Sequence, residues 1–231
     1  MPGICPEYAR KINMKKKFFC LIIFSLACAI SISSLYALEE RVETTPEGYR
    51  YAVRIMGGYN KDQRYPVLFC FHHGGDGIEM TRLYSYASYQ LNWLVVGFMD
   101  TKNGPWEPIV AAQESVLNDI QKKYKIDENR LYAAGFSGAA RMAYTFAYKH
   151  PDQFKGVIAS GAGFGEEEPS TWVAVYMIVG EDDCNIKEMK KAYAKLGDIG
   201  ARRNLFVFKG SHEMPSKEII KQALDWISKF Q

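Results

Sequence analysis

The 231-residue sequence predicts an α/β protein, a mostly parallel sheet with helices on both faces. Three observations lead there. Short continuous apolar runs such as Val67–Phe71 and Leu94–Phe98 suit strands that are covered on both sides. Between such runs lie segments with apolar residues at helical spacing. The runs also stop at or within one residue of glycine, polar or charged residues, which marks the strand ends where loops converge and function gathers in such sheets.

The first 37 residues stand apart from this pattern. Lys15–Lys17 precede the 15-residue apolar stretch 18–32, broken only by Ser25 and Ser31, and Ser33, Ser34 and Ala37 supply small residues for cleavage after Ala37. Residues 1–37 are therefore expected to be an N-terminal extension and signal peptide, starting at Met14, and residues 38–231 a single domain. That places the protein outside the cell or in a periplasm, with no stable membrane association after cleavage. A signal anchor and a lipid anchor at Cys28 are the alternatives. The apolar stretch falls short of the roughly 20 residues of a membrane span, and Ser25-Leu26-Ala27 is a poor lipid-attachment signal.

In the remaining chain Tyr49–Ile55 alternates as a half-buried strand and runs into the turn Gly57-Gly58-Tyr59-Asn60. Val67–Phe71 follows Pro66 and ends at His72-His73-Gly74-Gly75-Asp76-Gly77. Leu94–Phe98 ends in the loop 99–108, and a helix over 108–124 turns Ile109, Ala112, Val116 and Ile120 to one side. Leu131–Ala134 runs directly into Gly135-Phe136-Ser137-Gly138-Ala139 and a helix that extends through Tyr148 and stops before Pro151. Three further buried strands are expected at Gly156–Ala159, Val173–Val179 and Leu205–Phe208. A closing amphipathic helix over 218–230 is expected to face inward with Ile219, Leu224, Ile227 and Phe230. No repeat or long linker divides the domain, and no insertion is long enough for a substantial lid.

Charge excludes one class of function. Five of the 29 basic residues and one of the 26 acidic residues precede residue 38, which leaves 24 and 25 and a net charge near −1. Nucleic-acid binding needs clustered lysine and arginine on one face, so no nucleic-acid partner is expected. Of five cysteines only Cys70 and Cys184 lie in the expected domain, inside one strand and beyond another, and no bridge between them is expected. No phosphate loop, dinucleotide fingerprint or zinc-ligand spacing is present, so neither a metal nor another cofactor is expected.

The chemistry sits at three strand ends. A serine on a sharp strand-to-helix turn needs small neighbours, which Gly135 and Gly138 provide, and the turn exposes Ser137 Oγ above a helix N-terminus. Acidic residues end the strand Val173–Val179, in Gly180-Glu181-Asp182-Asp183. A histidine follows the strand Leu205–Phe208, in Gly210-Ser211-His212. A serine hydroxyl is a poor nucleophile at neutral pH and needs an imidazole to take its proton, and the imidazole needs an acid to hold its tautomer. Ser137, His212 and an aspartate fill these roles in the order Ser, Asp, His.

These three motifs, with Ala140-Arg141-Met142-Ala143 after the first and Cys184-Asn185 after the second, resemble the α/β-hydrolase superfamily. Within it they are similar to small secreted esterases related to polyhydroxyalkanoate depolymerases and to feruloyl and acetylxylan esterases. The last glycine of the usual Gly-x-Ser-x-Gly is replaced by Ala139. The resemblance implies a single-domain α/β-hydrolase fold over 38–231 and an ester hydrolase acting on small-molecule or polymer-linked esters. It implies Asp183 as the acid, with Asp182 as the alternative, and an oxyanion hole made by the amides of Gly138 and Gly74. A peptidase, a thioesterase or a non-catalytic relative are the competing readings. Trp106 is expected either to line the substrate pocket or to brace its loop. His72, His73 and His150 are expected to be structural, and Glu166-Glu167-Glu168 a solvated loop.

Overall fold

Alternation within the buried runs decides which layer each side chain joins. The computed structural model describes residues 38–230 except 58, 166–168, 170 and 172, so the expected signal segment, Gly58 and the glutamates Glu166–Glu168 lie outside the described residues. Among those described there are eight strands: β1 (Leu38–Thr44), β2 (Arg50–Met56), β3 (Tyr65–Phe71), β4 (Leu94–Phe98), β5 (Ile126–Phe136), β6 (Phe154–Ser160), β7 (Ala174–Gly180) and β8 (Arg203–Phe208). They form one sheet in the order β1-β2-β4-β3-β5-β6-β7-β8. Pairing is parallel from β4 through β8, and antiparallel for β1 with β2 and β2 with β4.

Six helices among the described residues cover the sheet: α1 (Gly77–Leu83), α2 (Ser85–Leu91), α3 (Trp106–Lys123), α4 (Gly138–Lys149), α5 (Ile186–Asp198) and α6 (Lys217–Ile227). In β3, Val67, Phe69 and Phe71 join one core with residues of α3, α4 and α5. Leu68 and Cys70 join a second core with residues of α1, α2 and α6. The same alternation recurs in β5 and β7, because successive side chains of a strand point to opposite faces. The expected α/β layering is what the structure has. The first core is rich in aromatic contacts: Phe71 stacks on Phe98 at 4.4 Å, and the Phe146 ring of α4 meets Phe69 edge-on at 5.3 Å.

The structure departs from the expected elements in several places, and β5 starts at Ile126 rather than at Leu131. β1, unforeseen, reads Leu-Glu-Glu-Arg-Val-Glu-Thr and lies at the sheet edge, where charge discourages pairing with other chains. Its carboxylates are tied inward: Glu40 meets Arg54 and Arg82, and Glu43 meets Tyr51, Tyr124 and Lys123. The short helices α1 and α2 and the helix α5 were also not expected; Asp76 caps α1 by accepting from the Glu79 amide at 2.8 Å. In α6, Ile220 and Ala223 are buried with Leu224 and Ile227, whereas Ile219 is half-buried and Phe230 lies beyond the helix. Finally, α3 begins at Trp106 rather than at 108.

Candidate active site

The turn from β5 into α4 carries the nucleophile candidate. Ser137 has φ 57° and ψ −127°, a region that residues with a Cβ rarely adopt and that costs about 1–3 kcal/mol unless its surroundings impose it. They do so by shape and by hydrogen bonds. A Cβ at Gly135 would collide with the Ala139 carbonyl, so only glycine lets the helix fold back this tightly. The Ser137 amide donates to the Ser160 carbonyl at 2.8 Å, and the Ser137 carbonyl accepts from the Ala140 amide at 2.9 Å. Ala139, the departure from the usual motif, is fully buried and fits.

Two later strand ends bring the partners. His212 Nε2 lies 2.9 Å from Ser137 Oγ, and His212 Nδ1 lies 3.0 Å from both carboxylate oxygens of Asp183. With the ring proton on Nδ1, Nε2 is an acceptor aimed at the hydroxyl. Asp183 is 3 % exposed, and its buried charge is met by the imidazole and by the Asn185 amide, which donates to Oδ1 at 2.7 Å. Asp182 is exposed, and its amide donates to the Gly210 carbonyl. The turn accounts for the difference: the Asp183 amide donates back to the Gly180 carbonyl, which places the second aspartate over the histidine.

The end of β6, which carried no expected role, touches all three motifs. Ser160 accepts from the Ser137 amide, and the Gly161 carbonyl accepts from Asn185 Nδ2 at 2.8 Å. Gly161 has φ 65°, and a Cβ there would come within 2.7 Å of the Phe136 ring and 3.1 Å of His212 Cε1. The Phe136 and His212 rings themselves lie 4.8 Å apart. A glycine directly after an apolar run is the signal that would have found it.

The loop after β3 differs from expectation. His72 Nδ1 accepts from the amides of Gly74 at 3.1 Å and Asp76 at 3.0 Å, so His72 braces the loop. The Gly74 amide, expected as an oxyanion donor, is thereby committed to the imidazole in this arrangement. Burial, with His73 next to it, holds the His72 pKa below its ordinary value and so favours the neutral form that can accept. The amide of Gly138 is the first of α4, where backbone donors have no partner within the helix. Asn103, also unforeseen, donates its amide to the His73 carbonyl at 2.8 Å and rests its side chain so close to Gly138 that a Cβ there would collide with it. The Asn-Gly-Pro turn at a strand end was its signal.

Trp106 opens α3 just beyond this loop and is 45 % exposed. His150 ends α4 and bonds Glu114 at 2.8 Å, a structural role. Cys70 is buried and Cys184 exposed, both free thiols. A groove of about 440 Å³ is lined by Arg141, Phe164, Glu188, Lys191 and Lys195. Arg141, one turn along α4 from Ser137, is held by both oxygens of Glu188 at 3.0 and 2.9 Å.

No family model matches this chain. Among solved structures it is similar to a ferulic acid esterase, at 17 % identity and a TM-score of 0.66 over 84 % of this chain and 98 % of that one. It is similar to a ferulic acid esterase from the anaerobic fungus Anaeromyces mucronatus, at 15 % identity and a TM-score of 0.64 over 84 % and 90 %. An S-formylglutathione hydrolase from Staphylococcus aureus matches at 13 % identity and a TM-score of 0.64 over 83 % and 96 %. At such identities the likeness is one of architecture, and the architecture is the α/β-hydrolase fold.

Proposed function

We propose that this protein is an exported serine hydrolase that cleaves carboxylic esters through an acyl-enzyme. The observation that carries the reading is the unbroken hydrogen-bond chain Ser137 Oγ, His212, Asp183 on a strained elbow. Ser137 Oγ attacks the ester carbonyl as His212 Nε2 takes its proton, and Asp183 holds the resulting imidazolium. The negative oxygen of the tetrahedral intermediate accepts from the Gly138 amide at the N-terminus of α4, where the helix field favours it. The second donor is an amide at the start of the loop, His72 or His73, since the amides of Gly74 and Asp76 serve His72 Nδ1 and that of Gly75 serves the His72 carbonyl. His212 then returns the proton to the departing alcohol, and water repeats the sequence to release the acid.

The substrate class is proposed from the surroundings. Among the described residues the connections after β3, β7 and β8 are short, and the groove beside Arg141 is open, which suits acyl groups displayed on a polysaccharide or polyester. The similarity to ferulic acid esterases favours the same class. Similarity to an S-formylglutathione hydrolase makes thioesters the second class to assay. Residues 1–37 supply the export signal in this reading.

The test is labelling with a fluorophosphonate probe, followed by turnover of aryl acetates, feruloyl esters, acyl thioesters and peptides. Label on the wild-type chain that disappears in Ser137→Ala, with ester turnover above the others, is the expected result. A wild-type chain that takes no label, or label that survives Ser137→Ala, would overturn it.

A further inference from the structure

Sequence spacing shows no metal-ligand cluster, yet folding assembles one. Asp183, Cys184 and His212 each present a ligand-type atom, and these atoms lie within 4.8 Å of one another. We propose that Asp183, Cys184 and His212 form a site for a thiophilic divalent cation of the zinc class, and that its occupancy switches the enzyme off.

The distances suit a tetrahedral shell. With zinc bonds of about 2.0–2.1 Å to nitrogen and oxygen and about 2.3 Å to sulfur, neighbouring N and O ligands sit about 3.3 Å apart and N and S about 3.6 Å. Asp183 and His212 Nδ1 are already 3.0 Å apart, so a cation entering between them needs little rearrangement there. The thiol closes the remaining gap by a shift of at most about 1.2 Å, within reach of a side-chain rotation. Cys184 is exposed while Asp183 is buried, so the thiol forms the rim through which a cation enters. One carboxylate and one thiolate balance the two charges of the cation, so the occupied site is neutral. Zinc over calcium or magnesium follows from the sulfur and nitrogen donors.

Inhibition follows from the imidazole. A cation on Nδ1 displaces its proton to Nε2, and Cys184 gives its thiol proton to solvent. Nε2–H then faces Ser137 Oγ as a donor and has no lone pair to accept the hydroxyl proton. The inhibitory consequence rests on the ester-hydrolase reading; binding of the cation does not.

The experiment therefore has two readouts on the untagged full chain after treatment with a chelator. Cobalt chloride is added to the wild type, Cys184→Ser, His212→Ala and Ser137→Ala, and the near-ultraviolet thiolate-to-cobalt charge-transfer band is recorded. Zinc chloride inhibition of aryl acetate hydrolysis is measured in the wild type and in Cys184→Ser, each relative to its own metal-free rate. The band is expected in the wild type and Ser137→Ala and absent from the other two. Half-inhibition of Cys184→Ser is expected to need over about 10-fold more zinc, the least that loss even of an outer partner usually brings. No band in the wild type, a band that persists in Cys184→Ser or His212→Ala, or equal inhibition of both chains would overturn the proposal. A band without turnover of any ester would leave the metal site standing and overturn the hydrolase reading instead.

Discussion

Two strand-to-helix turns meet beside Ser137, and they are held by different physics. The elbow between β5 and α4 is held mainly by shape: Gly135 clears the Ala139 carbonyl, and Ser137 accepts a positive φ because the helix and Ser160 leave it no alternative. The loop between β3 and α1 is held by hydrogen bonds to one imidazole, with two amides converging on His72 Nδ1. A turn fixed by excluded volume is indifferent to pH and intolerant of any added atom. The second turn is tight as well at Gly75 and Gly77, where a Cβ would meet the carbonyls of Met99 and Gly97, but it depends in addition on protonation.

The largest expected effect tests what the elbow is for. Ser137→Ala lowers kcat by about 10⁶-fold, and adding His212→Ala costs little more, since the two act as a unit; steady-state turnover of an aryl acetate measures both. Asp183→Asn follows with a loss of about 10⁴-fold, while Asp182→Asn retains its rate. The reverse ranking would move the acid by one residue.

Gly135→Ala sharpens the comparison on the side of shape. The added methyl meets backbone rather than a flexible side chain, so a loss of at least about 2 kcal/mol is expected from strain and overpacking. Thermal unfolding reads it, and a Tm unchanged within error would show that the elbow is not held by volume. On the other side, His72→Ala leaves two exposed-loop amides to solvent. It is expected to cost about 1 kcal/mol, a fall of about 2–4 °C for a domain of this size. His72→Asn, whose Oδ1 also accepts, restores most of that.

The smallest effect is the one with a sign. The folded-state pKa of His72 is lowered, chiefly by burial. Its stabilisation is therefore complete above the unfolded value near 6.5 and is lost as the pH falls through the lower folded value, when Nδ1 becomes a donor facing two donors. Stability against pH in urea should fall over that window in the wild type and less in His72→Asn. Identical profiles would show that the loop does not depend on the imidazole.

What was legible in the sequence and what was not divides along the same line. Ser137, His212 and the aspartate pair stood out because each follows a buried apolar run, and the run itself places the strand end. Choosing between Asp182 and Asp183 from the residues alone was out of reach, because one backbone bond from Asp183 to Gly180 decides it. Gly74 shows the same limit of sequence: an amide that can serve an oxyanion can equally serve a neighbouring imidazole, and only distance tells which. β1 was hidden because its charged residues satisfy partners on β2, α1, α3 and the sheet edge rather than a core. In α6 Leu224 and Ile227 face inward as expected, but Ser216 starts the helix at Lys217 and brings Ile220 rather than Ile219 under the sheet.

The last residue of β6 and the glycine after it carry a consequence for how such a protein can change. Ser160 and Gly161 bond the serine turn and the acid turn and leave no room for a Cβ beside the histidine ring, yet supply no reacting atom. In mechanical terms they are a gauge block, setting the gap between parts mounted on β5, β7 and β8. Insertions that alter substrate choice are free to accumulate in the chain beyond Gly161. One residue added before it would throw all three settings out at once.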